Sequence, residues 1–241
     1  MVSLIIPTYC EEKYIGETLR YLTEHWHAPA HEIIVSDSHS PDQTLAIAKQ
    51  FPNVTVVEMP ATKRRGISQG RNDGAAVAKG DFLVFMDADV IIPNPDDFFK
   101  QALAKFAANP DLVAFAPRIE VEPKRALLRD RLIYFGMNHW FAFLNWAGSG
   151  IAAGEFQMVR AEAFRKTGGF NEKIRASEDV DMFQRLAKLG RTVTALELTI
   201  YHSGRHFRKA GAWRTVWKWI VNSVKLWTGR TSGEEEWETI R

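Results

Sequence analysis

The chain has 241 residues, 46% hydrophobic and 25% charged, a balance that suits one globular domain with a full buried core. A formal net charge of +2 is too small to support nucleic-acid binding. The single cysteine, Cys10, excludes an internal disulfide and a cysteine-held metal cluster, and fits a reducing compartment. Met1 to Pro7 lacks the basic region of a secretion signal, and no run of ~18 uninterrupted apolar residues offers a membrane span. The expectation is a cytoplasmic chain, with at most peripheral contact to the cytoplasmic face of a membrane.

Val2 to Ile6 reads as a buried strand stopped by Pro7. Thr8 to Glu12 then turns into a helix running to about His25, with Ile15, Leu19 and Leu22 on one face. Glu32 to Val35 is a second strand, followed by a turn rich in helix-capping residues, Ser36 to Thr44. Leu45 to Phe51 is helix, Val54 to Glu58 strand, and Gly66 to Lys79 a helix with Gly70, Gly74, Ala75 and Ala78 on one side. Phe82 to Met86 is a fourth buried strand. Strand and helix alternating at this spacing predict an α/β fold, with a parallel sheet and helices on both faces. Asp96 to Ala108 is helix and Leu112 to Pro117 strand. Pro123 to about Trp146 reads as a long aromatic-rich helix, and Phe156 to Val159 as a short strand. Ala161 to Lys166 is a helical turn closed by Gly168 and Gly169. Ser177 caps a helix to Leu189, with Glu178 and Asp179 at its positive end. Short strands follow near Val193 and at Leu198 to Tyr201, then a helix from Ala212 to about Trp227 and a polar tail from Ser232.

Polar groups gather at the ends of three strands: Tyr9 and Glu11, Asp37, and the pair Asp87 and Asp89. Residues i and i+2 of a strand project the same way, so both acids can converge on one cation at the edge where open α/β sheets bind ligands. Hard carboxylate oxygens suit Mg²⁺ or Mn²⁺, which complete their shell with water and substrate phosphate. Tyr9 suits stacking on a base, and Asp37 suits accepting a hydrogen bond from a base or ribose. Neither a dinucleotide-binding glycine fingerprint nor an NTPase phosphate loop occurs. Each residue also has a plainer reading. Glu11, Glu178 and Asp179 are acids at helix starts, Arg71 suits a surface salt bridge, and His202 suits a structural histidine.

Five stretches in order resemble the inverting glycosyltransferases of family 2, which have the GT-A fold. They are Ile5 to Glu12, Val35 to Thr44, Gly70 to Gly74 with Ala78 to Asp81, Met86 to Asp89, and Gly168 to Glu172 with Ser177 to Asp181. The resemblance covers about residues 2 to 205. It implies a nucleoside site at Pro7, Tyr9, Glu11 and Asp37, with Arg71 supporting the nucleotide side. Asp87 and Ala88 fall near the ribose or sugar, Asp89 on the metal, and Asp179 on the catalytic base, with Glu178 orienting base or acceptor. His202 is a further candidate for the metal or diphosphate. Arg205 and Arg208 are candidates for clamping the departing phosphates. Two departures stand near the nucleotide pocket: Cys10 replaces the usual Asn, and His39 stands where Gly is common.

The reading is one domain over 1–241, with a nucleotide-binding half at 1–117 and an acceptor half at 118–241. It moves a sugar from a nucleotide-diphosphate sugar to a hydroxyl on a glycan, a lipid-linked molecule or another acceptor, with Mn²⁺ or Mg²⁺ as cofactor. The C-terminal helix, with Trp213, Trp217, Ile220, Val221 and Val224 on one face, suits either packing on the core or lying at a membrane interface. A sugar-nucleotide pyrophosphorylase shares the sheet but needs a glycine-rich loop where Pro7-Thr8-Tyr9 stands. A non-catalytic nucleotide-sugar sensor or membrane-associated scaffold is the reading from another class. Loss of the base or metal acids would favour it, and both are present.

Overall fold

The computed structural model describes residues 1–58, 66–174, 176–205 and 208. The predicted C-terminal helix and tail lie outside them. The elements are β1 Val2–Thr8, α1 Ile15–His25, β2 His31–Asp37, α2 Thr44–Ala48, β3 Val54–Glu58, α3 Ile67–Val77, β4 Phe82–Met86 and β5 Val90–Ile91. They continue with α4 Pro95–Ala108, β6 Leu112–Val121, α5 Leu128–Trp146, β7 Phe156–Arg160, α6 Ala161–Thr167, α7 Glu178–Ala187 and β8 Arg191–His202.

Eight strands form one sheet in the order β3-β2-β1-β4-β7-β6-β8-β5. The β3-β2-β1-β4 half is parallel throughout. In the other half β7 runs antiparallel to β4 and β6, β6 and β8 are parallel, and β5 is antiparallel to β8. Side chains alternate across the sheet, so Leu4 and Ile6 enter one core with α1, α4 and Tyr134 of α5, while Ile5 enters another with Phe164 of α6 and Phe183 of α7. Continuous apolar strand runs arise because both faces are covered. The small side of α3 faces β1: a Cβ on Gly74 would lie 2.4 Å from an Ile5 methyl.

Five boundaries differ from the sequence reading. β1 passes through Pro7 to Thr8, because its ladder to β4 stops at Ile5 and Pro7 pairs only with β2. β6 likewise passes Pro117. The two short strands near residues 193 and 200 are one strand, β8. Pro117 pairs with Ala195 and Arg118 with Thr199, so the residues between bulge out and break the local pattern. β5 has two residues, too few for a periodic signal. α5 begins at Leu128, where Asp130 accepts from the Leu127 amide at 3.1 Å, rather than at Pro123. Among the described residues, no helix is long and apolar enough to cross a membrane.

Candidate active site

Parallel pairing of β1, β2 and β4 brings Thr8, Asp37 and Met86 to one sheet edge. The acidic pair follows β4 there, on a turn into β5 rather than on a strand. The Val90 amide donates to the Asp87 carbonyl at 3.2 Å, and the Asp87 amide donates to the Glu155 carbonyl at 3.1 Å. Ala88, between them, turns its side chain into the core, and its carbonyl accepts from the Thr18 hydroxyl at 2.6 Å. The turn, not strand alternation, sets the two carboxylates. Asp89 is buried, accepts a hydrogen bond from Ser203 and pairs with Arg205 Nε at 3.3 Å. Asp87 faces Arg71 at 3.5 Å.

Arg71 is the hub of the site. It is 1% exposed, so it is no surface salt bridge. Its guanidinium donates to Glu178 at 2.8 Å and to the Gly154 carbonyl at 2.9 Å, and lies 5.1 Å from the Phe170 ring centre. Asn72, the next residue, exchanges hydrogen bonds with the Phe170 backbone at 2.8 and 2.9 Å. A Cβ on Gly169, whose φ is +81°, would lie 2.7 Å from the Asn72 side chain. Neighbouring residues of α3 thus hold both the double-glycine turn and the start of α7. Gly154 is close as well: a Cβ there would lie 3.1 Å from Arg71 and 3.3 Å from Asp179 Oδ2. Ser177 does not cap α7 with its side chain. Its backbone is left-handed, with φ 66°, and Asp179 Oδ1 accepts from the Val180 amide at 2.8 Å.

Three carboxyls here titrate above the ordinary range, chiefly because burial penalises the charged form. Asp87 is pushed up to about 6, with neighbouring Asp89 raising it and Arg71 opposing. About a quarter of its side chain opens to the cleft, but the carboxyl is otherwise ringed by protein. Asp179 is pushed up to about 7, with Glu178 adding to burial and Arg71 opposing. Glu155 is pushed up to about 8 by burial and then by Asp87, Asp179 and Asp89. Sequence reasoning missed Glu155. Its only signal is an acid directly before the buried strand β7.

The remaining candidates lie nearby in unequal roles. Arg205 grips both oxygens of Glu11 at 2.7 and 2.9 Å and lies 5.3 Å from the Tyr14 ring centre. Arg208 donates to the Ser203 carbonyl, folding back on its own turn. Asp37 is fully buried and accepts from Thr8 at 2.9 Å and from the amide and hydroxyl of Ser40 at 2.8 and 2.6 Å. It builds the turn after β2, while Asp42 accepts twice from Thr44. Pro7 pairs with Ser36 beside that turn, one residue before β1 ends, and Tyr9 lies just beyond, half-buried. Cys10 and His39 both have left-handed backbone, with φ 57° and 61°. The family's usual Asn and Gly are the residues that tolerate that region. His202 is buried, stands edge-on to Tyr134 at 5.0 Å and accepts from the Gly204 amide at 3.2 Å through Nδ1.

Among the described residues, no group of three or more His, Cys, Asp or Glu forms a ready metal cage. The donor set still fits a hard cation that keeps water and substrate phosphate as ligands. Both contacts of Asp89 fall on Oδ2, and among the described residues Oδ1 has no hydrogen-bond partner. Through Nδ1, His202 spends a lone pair on a backbone amide in this arrangement.

Comparison with known proteins agrees with this architecture. A solved mannosyltransferase from Pyrobaculum calidifontis, in complex with GDP-Man and Mn²⁺, superposes with a TM-score of 0.68 at 23% identity, covering 91% of this chain and 64% of that one. Staphylococcus aureus TarS in complex with UDP-GlcNAc gives 0.63 at 23% identity, covering 83% and 57%. These neighbours share the GT-A fold. The beta-monoglucosyldiacylglycerol synthase of Synechocystis sp. is 26% identical over 249 residues, 94% of this chain and 51% of that protein. The chain therefore spans about half the length of that relative, and 27% of the Escherichia coli chondroitin synthase that it also matches. The family model for glycosyl transferase family 2 matches residues 3–168. With more than half its length matched, and with the acidic turn and the Arg71 hub inside that span, the chain belongs to glycosyl transferase family 2.

Proposed function

We propose that the chain transfers a glycosyl group, with inversion, from a nucleotide-diphosphate sugar to an acceptor hydroxyl. The carrying observation is Asp179. Its carboxyl lies beside the Arg71 hub that also reaches Asp87, and burial lifts it to about 7. A general base is most effective when its pKa lies near the working pH. In the proposed reaction Asp179 takes the proton of the attacking hydroxyl, Glu178 and Arg71 hold the helix start that carries it, and Asp87 faces the donor sugar. Asp89, through Oδ1, would hold Mn²⁺ or Mg²⁺, with His202 as a further ligand after its ring reorients. The cation would offset charge developing on the leaving diphosphate. Arg205, paired with Asp89, and Arg208, on the Ser203 turn, would clamp the departing phosphates. Pro7, Tyr9, Glu11 and Asp37 would shape the nucleoside pocket.

The Mn²⁺ and nucleotide sugars named for the two structural neighbours support the donor half of this reading. The Synechocystis relative, a diacylglycerol-lipid synthase by name, supports a lipid-linked acceptor reached from a peripheral position on the cytoplasmic face of a membrane. The decisive experiment compares wild type with Asp179→Asn in donor binding and in product formation. Retained binding with product formation lowered by roughly 10²–10⁴ supports the assignment. Equal product from both proteins would remove Asp179 from the mechanism. Donor binding without product in the wild type would favour the sensor or scaffold reading.

A further inference from the structure

Helix α5 has two apolar faces, and among the described residues one of them meets the core. Tyr134, Asn138, Leu144 and Asn145 are buried, and Ile133 and Met137 pack on the same core. Asn138 fixes this face by bonding both the amide and the carbonyl of Ile119, at 3.0 and 2.9 Å. Residues three and four apart share a helix face, so Leu128, Leu132, Phe135, Phe143 and Trp146 line one stripe, on the side away from the core. On a soluble surface helix that side is charged. Here Leu128 is 73% exposed and Trp146 80%. The exposed rings touch one another: Phe135 and His139 at 4.1 Å, Phe143 and Trp146 at 6.0 Å. The stripe runs the length of the helix, about 28 Å at 1.5 Å per residue.

Its N-terminal end is basic. Lys124, Arg125, Arg129 and Arg131 cluster there; Arg125 pairs with Glu122 at 3.0 Å and Arg129 with Asp130 at 3.4 Å. Among the described residues, Lys124 and Arg131 have no ion pair. Arg131 instead lines a cavity of about 360 Å³ between β6 and α5, together with Arg118, Glu120, Tyr134, Phe135 and His139. The Nε of Arg118 is buried there without a hydrogen-bond partner.

We infer that this face of α5 is a docking surface for a bilayer containing anionic phospholipid. Leucine, phenylalanine and tryptophan enter the headgroup boundary, and the arginines at the basic end meet lipid phosphate. A long apolar stripe with tryptophan along it and unpaired cations at one end matches that chemistry better than a second protein surface. The inference deepens the peripheral-membrane part of the proposed function and rests on it only there. It is carried by α5, and not by the acidic cluster.

The test is co-sedimentation of the full chain with vesicles of phosphatidylcholine alone and of phosphatidylcholine mixed with phosphatidylglycerol. Wild type is expected to bind the mixed vesicles and to lose binding as salt rises. The doubly substituted Leu132→Asp, Phe135→Asp protein is expected to bind roughly 10-fold less or weaker still, because two apolar side chains that would enter the headgroup boundary become charged. Both substitutions are at exposed positions, and an unchanged thermal melt certifies the fold. Arg131→Glu is expected to cut binding several-fold and to flatten the salt dependence. The inference is overturned if wild type ignores anionic vesicles, or if the double variant binds like wild type. It is also overturned if sedimentation shows a dimer that the double variant dissolves, which would make a second copy the occupant. Hydrolysis of the donor by water is followed in parallel. Vesicle binding without donor turnover would sink the catalytic reading while upholding this one.

Discussion

The two ends of the carboxylate cluster are built in opposite ways. At one end Asp89 meets a cation directly: Ser203 donates to its Oδ2, Arg205 pairs with the same oxygen, and Arg205 also grips Glu11. At the other end Asp87 and Asp179 lie near Arg71, whose closest carboxylate partner is Glu178, and Glu155 lies near both of those acids. At the first end a guanidinium stands directly against the buried acid. The second end carries more buried carboxyl than cation, and its members titrate at about 6 to 8. A surplus of buried acid is costly to stability, and such groups concentrate where chemistry uses them. The difference separates, in the proposed reaction, a charge-binding end from a proton-accepting end.

Asp179→Asn breaks the proton-accepting end and carries the largest expected effect. In the wild type, kcat/KM should also rise with pH through about 7, since only the ionised carboxyl accepts a proton. A flat profile across that range would detach Asp179 from the rate. Arg71→Met comes next. It leaves Glu178 buried without its partner, and denaturant unfolding should show a loss of about 3–5 kcal/mol. A change below about 1 kcal/mol would mean that the hub is dispensable.

Glu155→Gln sharpens the comparison through pH. A carboxyl whose folded value is raised from 4.5 to about 8 contributes stability fully below the lower value and loses it as pH rises through the upper one. With chelator present, the variant's thermal midpoint should match wild type in acid and exceed it increasingly up to about pH 8. A constant offset at every pH would show that Glu155 is not strained by its charge. The smallest effect lies outside the cluster. His39→Gly and Cys10→Asn each relieve a left-handed side chain, by about 1 kcal/mol in unfolding free energy. No gain at either position would mean that local contacts already offset the strain.

Much of this frame was legible in the sequence, for a local reason. Phe82 to Met86 is a strand because an apolar run of that length suits nothing else, and the small side of α3 announced a helix pressed against a strand. Asp87, Asp89 and Asp179 were legible as chemistry because they follow a strand or start a helix. Their settings were not. The turn that holds Asp87 and Asp89 looks like a strand's end when only i and i+2 spacing is read. Ser177 looked like a cap until its backbone proved left-handed. Glu155 gave almost no signal, because its distinction is the company of other acids, contributed by separate segments.

The sequence alone determined most of the strand and helix order, the family and most of the acids proposed for the reaction, since propensity, periodicity and short motifs act over a few neighbouring residues. Tertiary structure decided which charges meet. Arg71 finds Glu178 across 107 positions, and Arg205 finds Glu11 across 194. It also decided which apolar face of α5 the core takes and which, among the described residues, stays exposed. Those choices come from packing and desolvation among distant segments, where one arginine can serve two carboxylates and one helix face is selected for the core.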